Sequence, residues 1–200
     1  MHYDGTVRRV PNLPPGEVLE ASLTPDGLAL ILSISEGSGT KLVRVPLGGG
    51  DSVTLTRSRE VLHSLVFSAD GESLSVIATG RGTTELMRLS AKRADQSSSK
   101  IDVGYELLSL AGVPGSEGLL AYARPLKNPG GGYMLLALST DAAKPEVLAE
   151  GLYLPPGLAP APAVSSRTGD VFFIKADPGS GNPVLRFDPS TGLAERLALS

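Results

Sequence analysis

Two histidines are all the imidazole in this 200-residue chain, His2 and His63. His2 stands at the terminus, solvent-facing and well separated in sequence from His63. His63 lies in Val-Leu-His-Ser-Leu-Val-Phe (61 to 67), where strict alternation puts it on one strand face with Val61, Leu65 and Phe67. That register allows two readings. In the first, His63 is a partly buried ring satisfied by a backbone carbonyl. In the second it faces a central channel and lines a pocket there, where an imidazole could move a proton. His63 is the single channel-facing candidate. A zinc site needs about four N, S or O ligands. Two separated histidines and no cysteine do not supply them, so no metal ligand is assigned.

Other residues with chemical potential have simpler explanations. Pro114-Gly-Ser-Glu-Gly118 resembles a nucleophile elbow only in part, because proline stands where Gly-x-Ser-x-Gly needs its first glycine. No Gly-x-x-x-x-Gly-Lys-Ser/Thr run exists to cradle a phosphate, and the short Gly-Ser-Gly and Gly-Arg-Gly runs lack the rest of a dinucleotide fingerprint. Asp26 and Asp70 belong to turns. Asp177-Pro-Gly-Ser-Gly-Asn182 offers oxygens but not the spacing of a calcium loop, and reads as a hairpin. No catalytic residue, cofactor or metal is therefore expected. The net charge of −3 gives no basic field for a nucleic acid, and Arg8-Arg9 and Lys92-Arg93 are short solvated pairs. The apolar runs have strand length, about half of what crosses a bilayer or less, so no membrane span is expected. The first ten residues lack the apolar stretch of a signal peptide.

What must position any site is a set of short strands. Gly 24 and Pro 16 punctuate a sequence that is 41% hydrophobic, a pattern of many turns around a real core. Leu-Thr-Pro-Asp-Gly (23 to 27) runs into Leu-Ala-Leu-Ile-Leu-Ser-Ile-Ser, and Phe-Ser-Ala-Asp-Gly (67 to 71) into Glu-Ser-Leu-Ser-Val-Ile-Ala. Asp26-Gly27 and Asp70-Gly71 are 44 residues apart; Glu117-Gly118 follows after 47 and Thr168-Gly169 after 51. Asp-Gly at these bends predicts two-residue hairpins of type I′. A period in the forties holding four strands is that of a propeller blade. The expectation is an all-β propeller array of four-stranded antiparallel blades over one domain, 1–200. Its blades fall at 18–56, 61–103, 106–150 and 153–199, with part of a fifth at 1–17, where Tyr-Asp-Gly-Thr-Val-Arg-Arg-Val matches the outer hairpin at 187 to 197. The fourth blade opens on a Pro-rich stretch of which only the end can be a regular strand.

The Pro-Asp-Gly and Ala-Asp-Gly bends with their following strands, and the Leu55-Thr56 pair that ends the first unit, resemble the TolB-type, WD40-like (PD40) β-propeller repeat. The match is good over about 18 to 103; in the third and fourth units only Gly118 and Gly169 of the turn are retained. The family's aromatic richness is absent, with no Trp and 4% aromatics, so Leu, Val and Ile must fill the space between blades. The resemblance implies a ring of six or more blades, hence an incomplete ring here. Such a ring would have an apolar blade face at each end, each a surface for self-association.

The function that follows is a non-catalytic binding or scaffold module, recognising another protein or a small ligand through the loops at 36–39, 81–84, 127–132 and 177–183. The alternative is the propeller segment of a larger enzyme, such as a prolyl-oligopeptidase-like serine peptidase, where it would gate substrate access. A third reading, a lyase or hydrolase acting through His63, would need that ring to be free to react.

Overall fold

The computed structural model describes residues 10, 12–94, 99–127, 132–139, 144–154, 161–175, 183–188, 191 and 193–197. Among them there is no helix. Four antiparallel sheets follow one another along the chain, each a meander of four strands in sequence order. The first holds β1 (Val18–Leu23), β2 (Ala29–Glu36), β3 (Gly39–Pro46) and β4 (Val53–Ser58). The second holds β5 (Val61–Phe67), β6 (Ser73–Gly80), β7 (Thr83–Ser90) and β8 (Ser99–Ile101). The third holds β9 (Tyr105–Gly112), β10 (Leu119–Pro125), β11 (Tyr133–Leu138) and β12 (Glu146–Leu152). The fourth holds β13 (Ala163–Val164), β14 (Val171–Ile174), β15 (Val184–Asp188) and β16 (Leu193–Arg196). β13 is the shortest because the prolines before it cannot donate to a ladder.

The sheets stack face to face, and each core cluster belongs to one junction. Ile31, Leu42 and Leu55 of the first sheet meet Leu62, Leu74 and Val76 of the second. Ile77 and Leu86 on its other face meet Leu107, Ala121 and Leu136 of the third. Leu120, Tyr122 and Leu135 then meet Val171, Phe173 and Phe187 of the fourth. Both faces of β2 and of β6 are thus buried, which is why these strands read as nearly unbroken apolar runs. The buried members of the first two junctions are aliphatic, with Phe67 and Tyr105 packed against them, whereas at the third the aromatic rings of Tyr122, Phe173 and Phe187 are themselves buried.

The first hairpin of every sheet is closed by a pair five residues apart: Thr24 with Ala29, Ser68 with Ser73, Val113 with Gly118, and Ser165 with Asp170. In the first two, the hydroxyl of Thr24 or Ser68 donates to Oδ1 of Asp26 or Asp70 at 2.6 Å, and the same oxygen accepts from the amide of Leu28 or Glu72 at 2.9 Å. Only the glycine of each pair, Gly27 or Gly71, is left-handed, at φ 70° and 72°. These are four-residue loops and not the expected type I′ hairpins, because the aspartate stays right-handed to cap the loop from within. Two consecutive left-handed residues occur instead at Arg81-Gly82, between β6 and β7. The true equivalents across sheets are 44, 45 and 52 residues apart. Gly118 consequently takes the place of Ala29 and Ser73, and Gly115 supplies the left-handed residue of the third loop at φ 73°.

Of the expected fifth piece at 1–17, residues 1–9 and 11 lie outside the described residues. Val10 packs on Leu32, Ile34, Val43 and Val45, which form the outward face of the first sheet. Gly16 is pressed there too: a Cβ on it would stand 2.4 Å from Cγ2 of Ile34.

Candidate functional site

The innermost strands, β1, β5, β9 and β13, each carry one residue at the same register position: Glu20, Ser64, Ser109 and, just before β13, Ala161. With His63, Leu65, Leu108 and Leu110 they line a cavity of about 470 Å³. β1, β5 and β9 are irregular at this level. β1 shifts register between Val18 and Glu20, β5 between His63 and Val66, and β9 opposite Tyr122 and Ala123. Bulges of this kind re-aim side chains at sheet edges, and here they turn a polar residue of three successive strands toward one space.

In β5 the bulge is sharpest. Ser64 is left-handed at φ 57°, a conformation a non-glycine residue holds only when its surroundings fix it. Glu20 provides that fixation. Its Oε2 accepts from the Ser64 amide at 2.6 Å and its Oε1 from the Leu65 amide at 2.9 Å. A carboxylate on two main-chain amides is a charge-assisted pair, and this one ties the first sheet to the second across the cavity wall.

The bulge also corrects the expected face of His63. Leu62 and Leu65 share one core cluster, with Phe67 packed against it, while Val66 belongs to the next. Ser64 and Leu65 stand together opposite a single residue of β6, so alternation changes phase there. His63 shares a face with Val61 but not with Leu65 and Phe67. Its Nε2 lies 2.9 Å from Thr79 Oγ1 and its Nδ1 3.3 Å from Ser64 Oγ. The partners are thus hydroxyls, where the sequence suggested a carbonyl. Burial lowers its pKa below the ordinary 6.5, against a smaller raising effect of the Glu20 charge, so the ring is neutral at pH 7.

A serine beside a histidine invites a catalytic reading, and the geometry argues against it. The amides of Ser64 and Leu65 are the donors that would receive an oxyanion if Ser64 were a nucleophile. They are filled by the Glu20 carboxylate, whose charge would also oppose a developing oxyanion. Among the described residues no cluster of His, Cys, Asp or Glu is arranged to hold a metal ion.

Sequence reasoning missed Glu20, because a lone glutamate in an alternating strand looks like a solvated residue. It also missed Thr40 and Thr84. Thr40 donates to Glu60 O (2.7 Å) and accepts from Leu62 N (3.0 Å); Thr84 does the same with Tyr105 O (3.2 Å) and Leu107 N (2.8 Å). Each threonine opens the third strand of its sheet and staples the innermost strand of the next. Their spacing of 44 was the available signal. Of the expected recognition loops, 36–39 and 81–84 are tight hairpin turns, and most of 127–132 and 177–183 lies outside the described residues.

No family model and no curated protein matches the sequence. Solved structures do match. TolB from Acinetobacter baumannii superposes with a TM-score of 0.67 at 16% identity, over 92% of this chain and 44% of that one. A puromycin-hydrolyzing peptidase from Mycobacterium tuberculosis gives 0.61 at 18%, over 89% and 28%. The β-propeller domain of the Trilobed protease from Pyrococcus furiosus, which has an open velcro topology, gives 0.59 at 10%, over 91% and 57%. The chain spans less than half the length of that TolB and under a third of that peptidase. At these identities the likeness is one of fold, and together with the four stacked antiparallel sheets it gives this chain an all-β propeller fold similar to that of TolB.

Proposed function

We propose that this chain is a non-catalytic recognition module that takes another protein's peptide segment, or a small ligand of similar mixed polarity, at the cavity framed by Glu20, His63, Ser64 and Ser109. In this reading His63 faces the channel of the propeller as a wall residue. The supporting observation is the occupation of the Ser64 and Leu65 amides by Glu20: the polar wall is rigid and internally paired, suited to shape and hydrogen-bond recognition and unsuited to acyl transfer. Leu65, Leu108 and Leu110 supply the apolar part of the wall, and such a mixture is typical of binding pockets. A rigid wall also reduces the ordering cost of binding.

The test is selection of a displayed random-peptide library on the folded chain and on Ala161→Trp. Ala161 is exposed at the cavity edge, so the larger ring occupies the space without entering the core. Sequences enriched on the parent and lost on the variant are expected. Equal enrichment on both, or turnover of ester and peptide chromogens that is lost in His63→Gln, would overturn the reading.

The likeness to a peptidase supports a second reading, in which the propeller gates access to a catalytic domain. Its discriminating observation is a hydrolase domain bearing Gly-x-Ser-x-Gly in the same reading frame, or one that binds this chain tightly.

A further inference from the structure

Thr40 and Thr84, the two staples between sheets, are each followed four residues later by an arginine, Arg44 in β3 and Arg88 in β7. Each arginine shares a strand face with a leucine buried at a junction, Leu42 for Arg44 and Leu86 for Arg88, so each is directed toward the next sheet. The positions are equivalent, and their partners differ. Nη2 of Arg88 lies 3.5 Å from Oε2 of Glu117, in the first hairpin of the third sheet. The counterpart of Glu117 in the second sheet is Glu72, and Glu72 is held by Lys92 instead. Nε of Arg44 is buried with no hydrogen-bond partner among the described residues. A native buried donor without a partner calls for an explanation. The second junction shows what this register takes: a carboxylate.

Arg44 lines a cavity of about 130 Å³ between the first hairpins of the first two sheets, together with Pro25, Asp26, Asp70, Ala91 and Lys92. This cavity shares no residue with that of Glu20 and His63. Its aspartates present the opposite chemistry to Arg44. The hydroxyl and amide donors of each loop converge on Oδ1, which leaves Oδ2 to a ligand. Those donors also hold both carboxyls below their usual range, so both are ionised at neutral pH. The charge of Arg44 acts on Asp26, yet the two form no direct ion pair among the described residues. A simple anion here would gain Arg44 and be repelled by two carboxylates. A simple cation would gain the carboxylates and be repelled by Arg44. A molecule carrying a carboxylate beside an ammonium satisfies both sides. We infer that this cavity binds a free α-amino acid, its carboxylate on Arg44 and its ammonium facing Asp26 and Asp70. The space equals about four waters at about 30 Å³ each, which limits the ligand to glycine, alanine or serine.

The test is an NMR titration of the isotope-labelled chain. L-alanine is expected to saturate one site in the millimolar range or below, with amide shifts concentrated at Asp26–Leu28, Asp70–Glu72, Ala91 and Lys92. Propionate, which lacks the ammonium, and ethylamine, which lacks the carboxylate, are expected to bind about tenfold more weakly or worse. Arg44→Gln should abolish saturation by alanine. Arg88→Gln should leave it unchanged, because Arg88 already has Glu117. Asp70→Asn keeps the oxygen that caps its loop; it should weaken alanine about tenfold without weakening propionate. No saturable shift with glycine, alanine or serine overturns the inference. Propionate or inorganic phosphate binding as tightly as alanine also overturns it, since the cavity is then a plain anion site. So do alanine shifts confined to His63–Leu65 and Leu108–Leu110, which place the ligand in the channel cavity. If Arg44→Gln fails to fold, the comparison of alanine with propionate and ethylamine on the parent chain decides.

Discussion

Glu20 and His63 stand on neighbouring strands and set the local energetics of the cavity in different ways. Glu20 gives a carboxylate to the amides of Ser64 and Leu65, at the one left-handed serine among the described residues. Removing it leaves both donors without their acceptor and releases the constraint on Ser64. Glu20→Ala is expected to cost about 2 to 3 kcal/mol, read as a lower urea midpoint at unchanged slope, and Glu20→Gln less, since one amide keeps an oxygen. His63 acts through protonation. Burial lowers its folded pKa below the ordinary 6.5, so the unfolded chain binds this proton more tightly than the folded one. Its contribution is complete above pH 6.5 and is lost as pH falls from there toward the folded pKa. A series of thermal melts through mildly acidic pH should therefore show a decline that His63→Asn reduces. An unchanged decline in that variant would assign it to other groups. The carboxylates of Asp26 and Asp70, held below their usual range by hydroxyl and amide donors, lose their contribution only in a separate, more acidic window.

At the scale of strands and loops, the same device recurs with small changes, and those changes make comparisons possible. Thr84→Val keeps shape but strands Leu107 N–H and Tyr105 C=O at a buried junction; a loss of about 2 kcal/mol is expected, and a similar one for Thr40→Val. In the third sheet Tyr133 occupies this place. Gly71→Ala should cost about 1 to 2 kcal/mol at its left-handed φ, and more than Gly27→Ala. A Cβ at 71 meets Pro25 at 3.3 Å, whereas one at 27 meets nothing within 4 Å. Equal losses in urea titrations would mean the Pro25 contact yields freely. These elements also mark how far the sequence could be read. Strand pattern and turn residues announce stacked blades, since apolar alternation and glycine act locally. The loop type was not legible, because Asp26 and Asp70 choose between a two-residue and a four-residue loop through a hydroxyl two residues upstream. The face of His63 was not legible either: the bulge that moves it is held by Glu20, 43 residues away in the chain. The site is thus built from contacts between sheets, for which a single strand's pattern carries no sign.

Across the whole molecule, each core cluster joins only adjacent sheets, so stability is distributed as in a linear array of nearest-neighbour junctions. The junctions differ. The first two join eight-residue central strands, β2 and β6, through largely aliphatic clusters and a threonine staple. The last rests on Val171, Phe173 and Phe187 from strands of four and five residues, and its outermost strand, β16, is exposed throughout. Opening should therefore begin at the fourth sheet. Native-state hydrogen exchange is expected to show less protection in Val171–Ile174 than in Ala29–Glu36 or Ser73–Gly80. Phe173→Ala, which costs about 3 to 5 kcal/mol in a packed core, should remove protection from the fourth sheet and leave β2 and β6 nearly unchanged. A uniform loss along the chain would mean that the four sheets unfold as one unit, with the junctions coupled beyond their neighbours.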